Sequence, residues 1–388
     1  MNLCARLLVG VVFLTQSAVA QTNHDDLRTA VDQLGDFDHT VRMEASRTLR
    51  RAGADAVLPV LLDAWKHHED SYVQFRSIVL IYGLEEPRGH AAFEEALDSQ
   101  NDRVRAAAYE YFEQVPSTTV APKLLAALDK ETSEFVRPYL VRALAANDND
   151  PAVQGRLMQD IDRGQGYFRG AVIEALGDHG AAYAVDSLIP LIAEDGPLHD
   201  DALLALGKIG DPRTLPPLRR VQERAGSTLQ PIVSAAACLL DLDCEGQLRY
   251  IVETLRYGAT TATDDGQELV RSASSALAAL AGAGRRAALD VLFEVGLSAG
   301  DSARGPVALA LGTVALRNPE LVRVSLVDAG QQFVPVDELL LLRDAFDMLD
   351  EDFAEERFYT LMRRDYWGAR IGSRTQAVAG AAIQILEF

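Results

Sequence analysis

The sequence predicts an all-α fold, a solenoid of about eleven stacked antiparallel helical hairpins. Three observations predict it. The first is composition. The 388 residues are 48% hydrophobic but only 7% aromatic, and Ala and Leu dominate the apolar set with little strand-like alternation. Both residues lose little side-chain entropy in a helix. The second is length. A single core rarely grows past about 250–300 residues, so the chain is either several domains or a repeat array. The third is an internal repeat, which decides between them.

The repeat is a hydrophobic residue followed by Arg, preceded by an acid and followed by small residues and Leu. Its copies are Asp38-His-Thr-Val41-Arg42, Asp70-Ser-Tyr-Val73-Gln74, Asp102-Arg-Val104-Arg105, Phe135-Val136-Arg137 and Tyr167-Phe168-Arg169. The steps between the hydrophobic residues are 32, 31, 32 and 32. Val270-Arg271 is a later copy and Leu198-His199 a degenerate one. The pattern is sharp over residues 38–215 and looser over 226–388, and we read 21–388 as one solenoid.

Each copy continues with helical spacing. Val41, Ala45, Leu49 and Ala52 share one face, as do Val104, Ala108 and Phe112. A turn follows, often with Gly, as in Leu206-Gly-Lys-Ile-Gly-Asp-Pro212. Glycine supplies the left-handed residue that ends a helix, and Pro212 is placed to start the next. A second helix then brings its own Leu face, as in Ala56–Leu62 and Asp186–Ile192. A lone hairpin cannot bury these faces, whereas hairpins stacked in register can.

These segments resemble the HEAT repeat family, in particular its short bacterial HEAT-like variety. The resemblance rests on the Asp-x-x-Val-Arg segment at Asp38, on Asp70 with Gln for Arg, on Asp102–Arg105, and on Leu206–Pro212. It implies an α-solenoid with an outer ridge and an inner, concave ridge made by the Val-Arg helices. It also implies a structural ladder of hydrogen bonds between adjacent repeats, carried by Asp38, Asp70, Asp102, Arg42, Arg105, Arg137 and Arg169. Gln74, Ser133 and His199 depart from that pattern. The resemblance leaves function open. Such solenoids are mostly scaffolds, though some act on DNA bases or handle tetrapyrrole cofactors.

Residues 1–20 have the form of a secretory signal. One positive charge (Arg6) precedes the apolar run Leu7–Leu14, and Ser17-Ala-Val-Ala20 fits signal-peptidase cleavage. The run is about half the ~20 residues of a membrane span. The expected product is an exported chain, periplasmic or extracellular, beginning near Gln21 and not inserted in the membrane. Loss of Arg6 takes the net charge from −20 to −21. Such a charge disfavours nucleic acid and anionic membrane surfaces and favours basic partners. Cys4 leaves with the signal. Cys238 and Cys244 remain, and an oxidising compartment permits a disulfide between them.

The seven histidines form no HExxH and no zinc spacing, and there is no P-loop, no GxSxG elbow and no CxxCH. His67 and His68 are adjacent, and on a helix they diverge by ~100°. Carboxylate pairs such as Asp264-Asp265 are expected by chance among 57 acids. The stretch Ala259–Gly266 reads as a surface loop. No catalytic residue, metal or cofactor is expected. One constellation points to binding: Tyr72, Phe135 and Tyr167 each precede the hydrophobic-Arg pair, with Tyr109 and Tyr139 nearby. On a concave ridge these rings would line a groove for another protein or peptide, since Tyr and Arg are enriched at binding hot spots. The competing reading packs them between helices. The expectation is therefore a protein-binding scaffold. The alternative is a solenoid that handles a cofactor or small ligand with lyase-like activity.

Overall fold

The computed structural model describes residues 24–193, 196–261, 263–328, 334–349 and 352–386. Their helices form eleven hairpins in which two rows alternate. One row is α1 (His24–Gln33), α3 (Ala54–His67), α5 (His90–Ala96), α7 (Ala121–Leu128), α9 (Pro151–Asp160), α11 (Val185–Leu188), α13 (Leu215–Arg224), α15 (Cys244–Thr260), α17 (Arg286–Ser298), α19 (Pro319–Asp328) and α21 (Asp352–Gly368). The other is α2 (His39–Arg51), α4 (Ser71–Gly83), α6 (Asp102–Gln114), α8 (Arg137–Ala146), α10 (Gly166–Asp178), α12 (His199–Ile209), α14 (Gln230–Leu239), α16 (Asp264–Gly282), α18 (Asp301–Arg317), α20 (Val336–Leu349) and α22 (Arg374–Ile385). The second row carries the Val-Arg motifs and forms the inner ridge. One core of buried side chains runs the length of the stack, from Leu27 to Leu386.

Sequence explains why the two rows differ. Outer helices are amphipathic: α13 buries Leu218 and Val221 and leaves its charged residues in solvent. Inner helices touch neighbours on several sides, so they are apolar or small nearly all round. In α4 every residue from Phe75 to Ile81 is buried. Successive inner helices approach at backbone distance. A Cβ on Gly177 would lie 2.6 Å from the Ala205 Cα, and one on Gly207 would lie 2.9 Å from the Ala236 Cα. Gly210 ends α12 in the left-handed conformation, φ +74°.

The repeat motif sets the entry to each inner helix. Asp38 and Asp70 are N-caps, accepting from Thr40 N and Tyr72 N at 2.8 Å. The Arg four residues on reaches back into the same turn. Arg42 Nη1 donates to the Asp36 and Phe37 carbonyls at 2.7 and 3.2 Å, and Arg105 Nη1 to those of Ser99 and Gln100 at 2.8 and 3.2 Å. Gln74 Nε2 makes the equivalent bond to the His68 carbonyl at 2.7 Å. The expected ladder between repeats is therefore partial. At Asp38, Asp70 and Arg42 the bonds are local, because the turn leaves carbonyls that a long donor six residues on can satisfy. Glutamine at 74 keeps one of the two carbonyl bonds that Arg makes at 42 and 105. Arg169 follows suit, with Nε 2.6 Å from the Ile161 carbonyl. Links between repeats do occur at Arg105, bidentate to Glu131 at 2.8 Å, at Asp102, which accepts from Ser133 Oγ at 3.4 Å, and at Arg137, stacked 4.0 Å over the Phe168 ring.

Two further details follow. Cys238, in the last turn of α14, is bonded to Cys244, the first residue of α15, with Cα atoms 4.0 Å apart. The expected loop over Ala259–Gly266 is mostly helix: α15 runs to Thr260 and α16 starts at Asp264, capped by Thr263 Oγ1 accepting from Gly266 N at 3.1 Å. Its acids sit in the first turn of α16, where the helix dipole favours them.

The stack curves until its ends meet. Helix α21 lies against α4. Arg50 makes a bidentate pair with Glu356, both side chains almost wholly buried, and one of its two bonds is 3.1 Å. The Arg50 guanidinium stacks 4.4 Å over the Tyr359 ring, and Arg363 Nη2 donates to the Arg50 carbonyl at 2.7 Å. The Tyr82 and Phe353 rings meet at 4.1 Å.

Two outcomes are expected on equilibrium denaturation. Glu356→Ala, which leaves Arg50 buried without its partner, should cost about 3–5 kcal/mol, and replacing both residues by apolar ones should recover most of the loss. Gly177→Val should cost about 1–3 kcal/mol or more by forcing α10 and α12 apart, whereas a valine at the open Gly155 position should cost about 1 kcal/mol or less.

Candidate functional site: the concave cavity

The inner ridge from α6 to α18 encloses an open cavity of about 1440 Å³. The last turns of α6 and α10 line it, whereas α12, α14, α16 and α18 contribute residues from their first turns onward. Ala, Gly and Leu residues, among them Leu204, Leu229, Ile232 and Leu309, supply apolar wall between charged side chains. Leu309 is 45% exposed, unusual for a leucine on a buried ridge.

The charges at the cavity floor form one network of alternating sign. Glu113 on α6 takes Arg142 of α8 in a bidentate pair, at 2.8 Å from Nη2 and 3.1 Å from Nε. Arg142 Nη1 lies 2.9 Å from Asp178 on α10, and Asp178 lies 2.6 Å from Lys208 Nζ on α12. Arg317, at the end of α18, reaches across the cavity to Glu174 at 3.1 Å and Asp178 at 3.3 Å. His179 Nε2 lies 3.5 Å from Glu113.

Burial alone would push the Glu113 carboxyl up. The adjacent His179 imidazole and the charge of Arg142 outweigh it and hold the group down at about 2. Burial also opposes ionisation of Asp178, and Lys208, Arg142 and Arg317 overcome it, leaving its carboxyl well below the usual range. Arg142 is desolvated too, yet Glu113 and Asp178 hold its guanidinium above its ordinary value. Beside this network Asp201 behaves oppositely. Burial raises its carboxyl, and the neighbouring Glu174 and Asp200 raise it further.

The aromatic residues singled out in the sequence do not line this cavity. Tyr109 is fully buried, with its hydroxyl 3.5 Å from Glu131. Tyr72 and Tyr139 are half-buried and packed on the core. Phe135 and Tyr167 are 84% and 69% exposed, but they sit at the N-terminal entries of α8 and α10, on the rim. The groove expected at these rings is therefore not this cavity. At the first two repeats, α21 already covers Arg50, Tyr82 and Gly83.

His67 and His68 point apart, to Asp63 at 3.0 Å and Asp32 at 3.3 Å. Among the described residues no group of three His, Cys, Asp or Glu is placed to hold a metal ion. No described helix is long and apolar enough to cross a membrane. The network residues Glu113, Arg142, Asp178, Lys208 and Arg317 escaped the sequence reading. A signal existed: Glu113, Arg142, Asp178 and Lys208 place charges of alternating sign on four successive inner helices.

Fold and cavity together define an α-solenoid with a polar, charge-paired concave surface. Residues 200–224, spanning α12 and α13, match the PBS lyase HEAT-like repeat. No curated protein matches the chain. Among solved structures it is similar to a chain of the Kap95:Nup1 complex, with 14% identity and a TM-score of 0.38, over 93% of this chain and 56% of that one. UNC-45 from Drosophila melanogaster is similar at 14% identity and a TM-score of 0.27, over 94% of this chain and 57% of that one. This chain thus spans a little over half the length of each.

The network has a pH signature. Glu113 has a depressed value in the folded state, so its contribution is complete above the ordinary value of 4.5 and is lost as pH falls through about 2. The difference corresponds to a contribution on the order of 3 kcal/mol. In urea denaturation at stepped pH, the stability gap between wild type and Glu113→Gln should shrink as pH falls through that window. Parallel curves would refute the assignment.

Proposed function

We propose that the protein is a binding scaffold that takes a segment of another protein into its concave cavity. The observation that carries this reading is the cavity itself. At about 1440 Å³ it exceeds the ~300–1,000 Å³ of ordinary small-molecule pockets, and its wall alternates apolar and polar surface along seven inner helices. Its ion pairs are mutually satisfied, so they shape a surface and do not present an acid, base or nucleophile poised for chemistry. The reading therefore assigns no catalytic activity.

The charge pattern supports a basic or neutral segment as the ligand. The chain carries a net charge of −20. The Glu174, Asp200 and Asp201 side of the cavity concentrates carboxylates, and the raised Asp201 would gain from a neighbouring ammonium or guanidinium. Leu309 offers an apolar contact in the same cavity. Export to the periplasm or cell exterior belongs to the same proposal. It is supported by the signal-like residues 1–20, which lie outside the described residues, and by the Cys238–Cys244 disulfide, a bond suited to an oxidising compartment.

The test is affinity capture of the tagged protein from its own cell envelope, followed by binding measurements on variants. A stoichiometric protein partner is expected. Leu309→Asp and Asp201→Lys should each weaken it about tenfold or more, while Phe135→Ala with Tyr167→Ala should leave it within about twofold. Loss of binding in the rim variants alone would move the site to the rim. Capture of a small molecule in place of a protein would overturn the scaffold reading.

A further inference from the structure

A second cavity, of about 280 Å³, opens at the seam where the ends of the stack meet. Its wall joins the end of α4, the link between α18 and α19, and α21. It carries three guanidinium groups, Arg317, Arg357 and Arg364, with Tyr82, Thr360, Glu85 and Glu320.

Most of these charges are already matched. Arg317 is held by Glu174 and Asp178 at 3.1 and 3.3 Å. Glu320 is held by Arg323 at 2.5 and 2.9 Å. Glu85 and Arg364 meet at 3.5 Å with both side chains more than half exposed, a contact worth little. Arg357 is the exception. It is half-buried, and among the described residues its guanidinium meets the Leu316 carbonyl at 3.3 Å and has no carboxylate at ion-pair distance. Thr360 is also unmatched: it is 7% exposed, and its Oγ1 has no hydrogen-bond partner among the described residues. Tyr82 completes the wall. Burial pushes its phenol up to about 12 despite the nearby Arg357, so near neutral pH it keeps its proton and can donate it in a hydrogen bond.

An unmatched half-buried cation and an unpartnered buried hydroxyl each cost free energy. One ligand relieves both. We propose that the seam pocket binds a small oxyanion of the phosphate class, and that the bound anion ties α21 to the ends of α4 and α18. The guanidinium fork of Arg357 matches two oxygens of such a group. Arg364, freed from its loose contact with Glu85, and the Thr360 and Tyr82 hydroxyls supply further donors. The volume, about 280 Å³, admits a phosphate group with space left for ordered water. Glu85 and Glu320 stand at the wall as barriers to larger polyanions. This inference does not depend on what the concave cavity binds.

The test uses the full mature chain and inorganic phosphate, titrated against chloride at constant ionic strength. Phosphate should raise the Tm saturably and increase hydrogen-exchange protection around residues 82–85, 316–320 and 357–364. Arg357→Gln should weaken phosphate binding about tenfold or more. Thr360→Val should weaken it severalfold without lowering the Tm in chloride, because it removes a hydroxyl that has no partner there. A non-saturable response to phosphate would overturn the proposal. So would equal responses in wild type and both variants, or protection confined to other regions.

Discussion

The architecture depends on how closely the inner helices approach one another. At Gly177 against Ala205, and at Gly207 against Ala236, backbones touch with no side chain between them. The outer row has no comparable constraint. A stack whose inner row is drawn together and whose outer row is spread must curve toward the inner row. Eleven hairpins of such curvature are enough to bring α21 onto α4.

Closure in turn decides what the concave face can do. Over the first two repeats it is filled by α21, through the buried Arg50–Glu356 pair and the contact of Tyr82 with Phe353. Over the middle repeats it stays open, and the same helix positions that meet α21 at the start become cavity wall. Because that wall is partly desolvated, its charges are stable only in pairs. The run Glu113, Arg142, Asp178 and Lys208 is the consequence, each residue neutralising the next across one helix boundary. Arg317 adds a tie that crosses the cavity, from the late repeats back to α10.

The motif that revealed the repeats serves a different purpose from the surface that gives them a role. Asp38 and Asp70 cap helices, and Arg42, Gln74 and Arg105 satisfy turn carbonyls. These needs recur at every helix entry, so they recur in sequence. The cavity wall is drawn from different positions along the inner helices, where each residue answers to its own neighbour. The rings at Phe135 and Tyr167 are exposed outside that wall, and Tyr109 is in the core.

The sequence by itself determined the helical hairpin, its repeat length and the proximity of Cys238 to Cys244. All of these follow from interactions between residues within about one repeat of each other, which periodicity and capping residues record directly. Only the tertiary structure decided that Arg50 meets Glu356, that Arg317 meets Glu174, and that the two ends of the chain bound a pocket around Arg357. Those contacts join residues 306 and 143 positions apart. They depend on the accumulated rotation of many hairpins, a small angle per repeat that no local pattern of residues encodes.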